Sequence, residues 1–333
     1  MTVETAMERH HANLRVFTYR MLGSLLETER LVEQAFSLAS LQLRTQDVRD
    51  SVRALPYRII TNLCLNMLGT ESRRTLPSLS YPPVDPFEQS ATSKNASIWL
   101  EPFPDELCPE IAYESVAGYG ARETISLPFI AALQFVPPQE RAMIVLCDTM
   151  GWQPGQVADV LRISKSEVND MLGQARCVMA RQYRAELGRR EPPAPPNATA
   201  LLMQYLYPWE TANLDGLMTR LTDEVTLQVP PSPSWYKGSA AVRQYLVSHA
   251  FGSGARGRWR LLPRRANGQF AFGTYERDDI GLEYVAHSIQ VLTFEEDLVS
   301  EIISFANRSL FPAFKLRSRV IAQGRMVPRD DQE

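Results

Sequence analysis

The chain has 333 residues, 44% hydrophobic and 22% charged, with a formal net charge of −3. That length predicts two or three domains, each able to bury its own core, and the composition is that of ordinary globular protein. No run of about 18 apolar residues exists and Met1-Thr2-Val3-Glu4 has neither the basic flank nor the apolar core of a secretory signal, so no membrane partner and a cytoplasmic location are expected.

The first seventy or so residues read as helical. Apolar positions recur at Leu14, Phe17, Met21, Leu22 and Leu25, at Leu31, Val32, Ala35, Phe36 and Ala39, and at Ile59, Ile60, Leu63 and Met67. From Leu76 to about Glu110, prolines at 77, 82, 83, 86, 102, 104 and 109 interrupt any regular element. Within that stretch Trp99-Leu100-Glu101-Pro102-Phe103-Pro104 reads as an ordered knot that docks onto a domain.

Leu133 to Arg176 has the pattern of a helix-turn-helix. Pro137-Pro138 stops one helix, and Met143, Ile144, Leu146 and Cys147 mark the next. Gly151-Trp152 breaks it, a short helix carries Val157, Ala158, Val160 and Leu161, and the chain turns at Arg162-Ile163. Ser164 and Glu167 have capping-box spacing, in which each side chain satisfies an unpaired amide at the start of a helix. The helix they open buries Val168, Met171, Leu172 and Ala175 and leaves Lys165, Ser166 and Asn169 pointing outward. The start of such a second helix is where base edges are met, and Asn suits a bidentate contact to adenine. Arg176, Arg181 and Arg184 are candidates for phosphate contacts, which fix register without specifying sequence. Glu167 and Asp170 oppose this, as does the weakly acidic net charge.

Pro192 to Pro196 reads as a stiff, extended spacer. Beyond it come helices at 198–211, 214–221 and 239–249, and strands at 225–229, 259–262, 270–275, 284–292 and 298–305. Helices followed by an antiparallel meander predict an α+β cone around a cavity. Trp209, Trp235, Tyr236, Trp259, Tyr284, His287 and Gln290 are its candidate lining. His287 is the natural general acid or base, with an unperturbed pKa of about 6.5, although a lone strand histidine is more often structural. The four cysteines, Cys64, Cys108, Cys147 and Cys177, are far apart and read as buried free thiols. No metal or cofactor site is expected.

Several segments together resemble an extracytoplasmic-function RNA polymerase sigma factor with a fused C-terminal SnoaL-like domain. They are Arg20 to Ser24, Trp99 to Asp105, Pro137 to Ala142 with Asp148, Gly151-Trp152 and Gln174-Ala175-Arg176, and in the tail Trp235 to Gly238, Trp259 to Pro263, Ala266 to Gln269 and Leu310 to Phe314. The resemblance implies a multi-domain chain of two all-α sigma domains, region 2 and helix-turn-helix region 4, plus a C-terminal α+β SnoaL-like cone. Its implied boundaries are 1–76, a linker at 77–121, 122–190, a spacer at 191–197, 198–318 and a tail at 319–333. It implies core RNA polymerase and promoter DNA as partners, with polymerase contacts at Leu31, Val32, Gln34 and Phe36, and DNA contacts at Tyr57, Arg58 and Asn62 beside those of the helix-turn-helix.

Region 2 departs from the family pattern. Arg30 stands where an acidic residue is usual, Leu38 and Ser40 where Arg and Trp are usual, and Leu55-Pro56 where a Trp-Leu pair enters the melting helix. Proline within a helix costs about 3 kcal/mol or more, so the helix is expected to start at Pro56. Two functions follow. One is a transcription initiation factor regulated in cis by its C-terminal domain. The alternative is a repurposed sigma-like chain whose cone binds or transforms a small aromatic or polyketide metabolite through His287. Fold alone does not decide between them.

Overall fold

The computed structural model describes residues 3–45, 54–70, 73–86, 98–109, 122–186 and 198–321. The expected spacer at 191–197, the tail beyond 321 and much of the linker lie outside the described residues.

Three helices form the first unit: α1 (Val3–Leu22), α2 (Leu25–Thr45) and α3 (Ala54–Leu68). Gly23 ends α1 with φ +66°, and its amide donates to the Tyr19 carbonyl. Ser24 then caps α2, its Oγ accepting from the Glu27 amide at 3.2 Å. Helix α3 starts at Ala54, two residues before the expected Pro56. The first four amides of a helix need no intrahelical acceptor, so a proline in the first turn leaves the ladder intact. A short helix α4 (Pro77–Ser80) follows.

The second unit contains α5 (Leu127–Leu133), α6 (Pro138–Ile144, continued by a wide turn at Val145–Thr149), α7 (Pro154–Leu161) and α8 (Lys165–Glu186). The turn between α7 and α8 is made by Arg162 at φ 57°. The capping box forms as the spacing predicts: the Ser164 amide donates to Glu167 at 2.7 Å and the Glu167 amide to Ser164 Oγ at 3.2 Å.

The third unit has α9 (Ala198–Thr211), α10 (Leu214–Met218) and α11 (Ser239–His249) against a sheet. Its strands are β1 (Leu221–Gln228), β2 (Trp235–Lys237), β3 (Trp259–Ala266), β4 (Gln269–Arg277), β5 (Glu283–Glu295), β6 (Leu298–Phe305) and β7 (Arg319–Ile321). The order is β2-β1-β6-β5-β4-β3, and β7 pairs with the start of β5, beyond residue 318. The sheet is mixed rather than the simple antiparallel meander expected, because β1 runs parallel to β6. Strand β2, helix α11 and strands β3, β4 and β5 intervene between them, well beyond the dozen residues a parallel crossover requires.

One face of the sheet closes over α9 and α11 with Leu201, Tyr205, Trp209, Val242, Leu246, Leu261, Phe272, Leu292 and Ile302. The other face is largely covered as well. Ala271, Tyr275, Ile289, Ile303, Phe305 and Phe311 share a continuous apolar core with the two helical units. The knot at 99–104 is docked between them. Thr75 and Trp99 pair as a parallel bridge, and the Glu101 carboxylate accepts from Ser24 Oγ at 2.9 Å and the Leu26 amide at 3.0 Å. An anion at that helix start is favoured by the aligned peptide dipoles. Of the cysteines, only Cys64 and Cys108 are buried. Cys147 is half-buried, and Cys177 lies on the outer face of α8, where the apolar stripe does not reach.

Candidate functional site

The outer face of α8 presents Lys165, Ser166 and Asn169 together and exposed, with Asp170 exposed beside them. Arg176, also exposed, forks onto Asp148 with distances of 2.9 and 2.6 Å. An exposed pair of this kind contributes about 0–1 kcal/mol, so phosphate can compete for the guanidinium.

In the first unit the expected DNA residues do not share a surface. Tyr57 is buried, its ring 5.7 Å from Phe17 and 4.7 Å from Trp152 of the helix-turn-helix unit. Arg58 is half-buried and Asn62 exposed. Along α2, Leu31 and Val32 point into the core, so they shape the helix face rather than lie on it. Gln34 is exposed, and Phe36 stacks on His11 at 4.8 Å. Leu38 and Leu41 extend the exposed Gln34 at helical spacing. Leu41 was not singled out from the sequence, although an apolar residue off the buried stripe is the signal that finds it.

In the cone, Trp209, Trp259 and His287 come together, with ring separations of 5.9 and 5.1 Å. The Tyr205 hydroxyl donates to Gln290 at 3.2 Å, and Tyr236 packs on Tyr245. Two expected lining residues face elsewhere. Trp235 donates from its indole to the Tyr81 carbonyl at 2.7 Å, because the linker covers β2. Tyr284 lies on the opposite face of β5, its hydroxyl on the Gly257 carbonyl at 2.9 Å and Arg260 above its ring. Burial lowers the pKa of His287, whose Nδ1 has no hydrogen-bond partner among the described residues. The neighbouring carboxylates are committed: Glu276 to Arg258 at 2.6 Å and Glu283 to Arg319 at 2.9 Å. Among the described residues, these two carboxylates are thus held by arginines rather than by His287. Since the folded pKa of His287 lies below its unfolded one, the unfolded chain takes up the proton first, and stability falls as pH drops below about 6.5. His287→Gln is expected to flatten that part of the profile, read as the difference in melting temperature between pH 7 and pH 5. Equal pH dependence in both proteins excludes the effect. Among the described residues no group of His, Cys, Asp and Glu is placed to hold a metal, and no helix is long and apolar enough to cross a membrane.

The densest polar constellation joins all three units. The β3–β4 hairpin turns at Asn267-Gly268, both with positive φ, as two-residue hairpins favour. Asn267 is wholly buried. Its Oδ1 accepts from the Phe103 amide at 2.8 Å, and its Nδ2 donates to the Tyr19 hydroxyl at 2.8 Å and the Ile125 carbonyl at 2.7 Å. Next to it Asp105 accepts from the Gly268 amide at 2.8 Å and from Arg265 at 3.0 Å. Burial pushes the Asp105 carboxyl up, against the pull of these donors. Two buried guanidiniums fasten the helical units together: Arg20 donates to the Thr124 carbonyl at 3.1 Å and to the Thr124 hydroxyl at 2.6 Å, and Arg141 to the Met21 carbonyl.

Two helical units, the second a helix-turn-helix, pack against a cone-shaped mixed sheet. No family model matches the sequence. The chain is 33% identical over 311 residues, 93% of its length and 82% of theirs, to the ECF RNA polymerase sigma factor SigG of Mycobacterium tuberculosis strains CDC 1551 / Oshkosh and ATCC 25618 / H37Rv. The crystal structure of the Mycobacterium tuberculosis extracytoplasmic function sigma factor SigJ superposes with a TM-score of 0.57 at 19% identity, over 94% of this chain and 99% of that one. The chain belongs to the extracytoplasmic-function RNA polymerase sigma factors.

Proposed function

We propose that this sigma factor brings core RNA polymerase to promoter DNA in the cytoplasm, and that its C-terminal cone holds the two helical units in a closed arrangement. Lys165, Ser166 and Asn169 are the base readers, with Arg176 on phosphate. Gln34, Leu38 and Leu41 extend the polymerase contact along α2, beside Phe36. Tyr57 reaches single-stranded DNA only after Trp152 moves off it, and Arg58 and Asn62 flank it there. The observation that carries this reading is Asn267. One side chain from the cone bonds α1, the linker and the approach to α5 at once, so the cone cannot stay docked while those elements separate.

The test is transcription reconstituted with core polymerase, comparing the full chain with Asn267→Ala. A buried hydrogen bond contributes about 0.5–1.5 kcal/mol net, so losing three, about 3 kcal/mol in all, shifts the closed-to-open ratio about 150-fold. Promoter-dependent transcripts are expected to rise by a fraction of that factor. No association of either form with core polymerase would refute the sigma reading. Equal transcription from both forms, with the melting temperature of Asn267→Ala lowered, would refute closure by the cone.

A further inference from the structure

The outer face of the sheet carries a groove that the closed junction does not use. It lies at the edge of the sheet between β3 and the segment that ends in β7, with a volume of about 350 Å³, and is lined by Arg260, Leu262, Arg317, Arg319, Val320 and Ile321. Side chains alternate along β3. Trp259 and Leu261 fill the interior of the cone, which leaves Arg260 and Leu262 facing away from it. The groove is therefore distinct from the cluster of Trp209, Trp259 and His287.

Its chemistry has two parts. The floor is apolar, and its rim continues onto Leu282 and Ile280, which with Ile321 are 66–79% exposed. Glu283 and Ile321 are register partners, which puts Leu282 next to the groove. Above the floor sit three guanidiniums. Arg319 is engaged by Glu283 at 2.9 Å. Arg260 rests over the Tyr284 ring, 5.9 Å from its centroid, and neither it nor Arg317 has an ion-pair partner among the described residues. Two cations uncompensated by carboxylate thus stand over exposed apolar surface in a groove of small-molecule size. A bare inorganic anion leaves the floor in water, and a neutral apolar molecule leaves the guanidiniums without a partner.

We infer that this groove binds a small amphiphilic anion, a carboxylate on an aliphatic or aromatic body, with Arg260 and Arg317 on the carboxylate and Leu262, Val320 and Ile321 against the body. The inference stands apart from the closed-state reading, because binding is measured without polymerase or DNA.

The experiment is calorimetric titration of the full chain with octanoate, octanol and acetate. Octanoate is expected to bind at least about tenfold more tightly than either, since charge-assisted hydrogen bonds and apolar burial each contribute on that scale. The double variant Arg260→Gln/Arg317→Gln is expected to lose that tenfold preference over octanol. Glu283→Gln, which releases Arg319, is expected to tighten octanoate severalfold. Melting curves that match the parent's show that these replacements leave the fold intact. Octanoate binding no tighter than octanol overturns the inference. So does octanoate binding that the double variant leaves unchanged, which places the anion elsewhere in the chain.

Discussion

Arg141→Met is expected to lower the unfolding free energy by about 3 kcal/mol. Arg141 is only 3% exposed and has no carboxylate partner among the described residues. Its guanidinium instead donates to the Met21 carbonyl, to Gln134 Oε1 at 2.8 Å, and to the Gln134 and Val136 carbonyls at 3.1 Å. Burial pushes its pKa down to about 10, so it stays charged at neutral pH. Methionine roughly keeps the volume but leaves the Met21, Gln134 and Val136 carbonyls buried without donors, at about 1–3 kcal/mol for each unsatisfied group. Relief from desolvating a cation offsets part of this. Arg141→Lys keeps the charge and loses the planar fork, so it is expected to fall between the two, since one ammonium cannot reach acceptors on both sides. Denaturant unfolding of the three proteins measures the order. A methionine variant as stable as the parent would mean that desolvation outweighs every bond this guanidinium makes.

Local chemistry was legible in the sequence. The capping box of α8 needs only Ser164 and Glu167, three residues apart, and helices α9 and α11 fall where periodicity puts them, while α10 ends at Met218 and Leu221 opens β1 instead of closing the helix. Long-range geometry was not. Asn267 meets Phe103 and Tyr19, which are 164 and 248 positions away, so no local pattern announces it. Its dipeptide with Gly268 signals a tight hairpin and nothing about what the hairpin enters. Trp235 and Tyr284 were expected among the cavity rings. Which face of β5 becomes interior depends on the register shift between Thr274 and Tyr275, which turns His287 toward Trp259 and leaves Tyr284 outside. Tyr57 was expected to contact DNA because the resemblance implies it. Its burial comes from a second unit, through Trp152, whose position in sequence gives no hint of the contact. The parallel pairing of β1 with β6 was likewise hidden, because strand spacing carries no direction.

Gly23→Ala tests the junction from the other side, and its sign is the informative quantity. Glycine-to-alanine replacements commonly stabilise by about 0.4–1 kcal/mol where the backbone allows it, through the unfolded chain. Here the backbone does not allow it. Gly23 has φ +66°, a left-handed conformation that costs an L residue about 1–2 kcal/mol. The added methyl group also has no room: it runs into the Leu100 side chain and approaches Ile130 Cγ2 to 3.3 Å. Leu100 is wholly buried within the docked knot, so it cannot swing into solvent, and overpacking of this kind costs about 1–3 kcal/mol. The expected loss is about 2–5 kcal/mol, among the largest available from a single methyl group. It falls on the contact that seats the linker, where the Glu101 amide donates to the Gly23 carbonyl at 2.9 Å and the Glu101 carboxylate caps α2. Hydrogen exchange is therefore expected to accelerate first at the amides of Leu26 and Glu101, before the amides of α8. Uniform acceleration across all units would instead mean that the knot and the helical core open as one cooperative body, and that the linker is not the element that releases the cone.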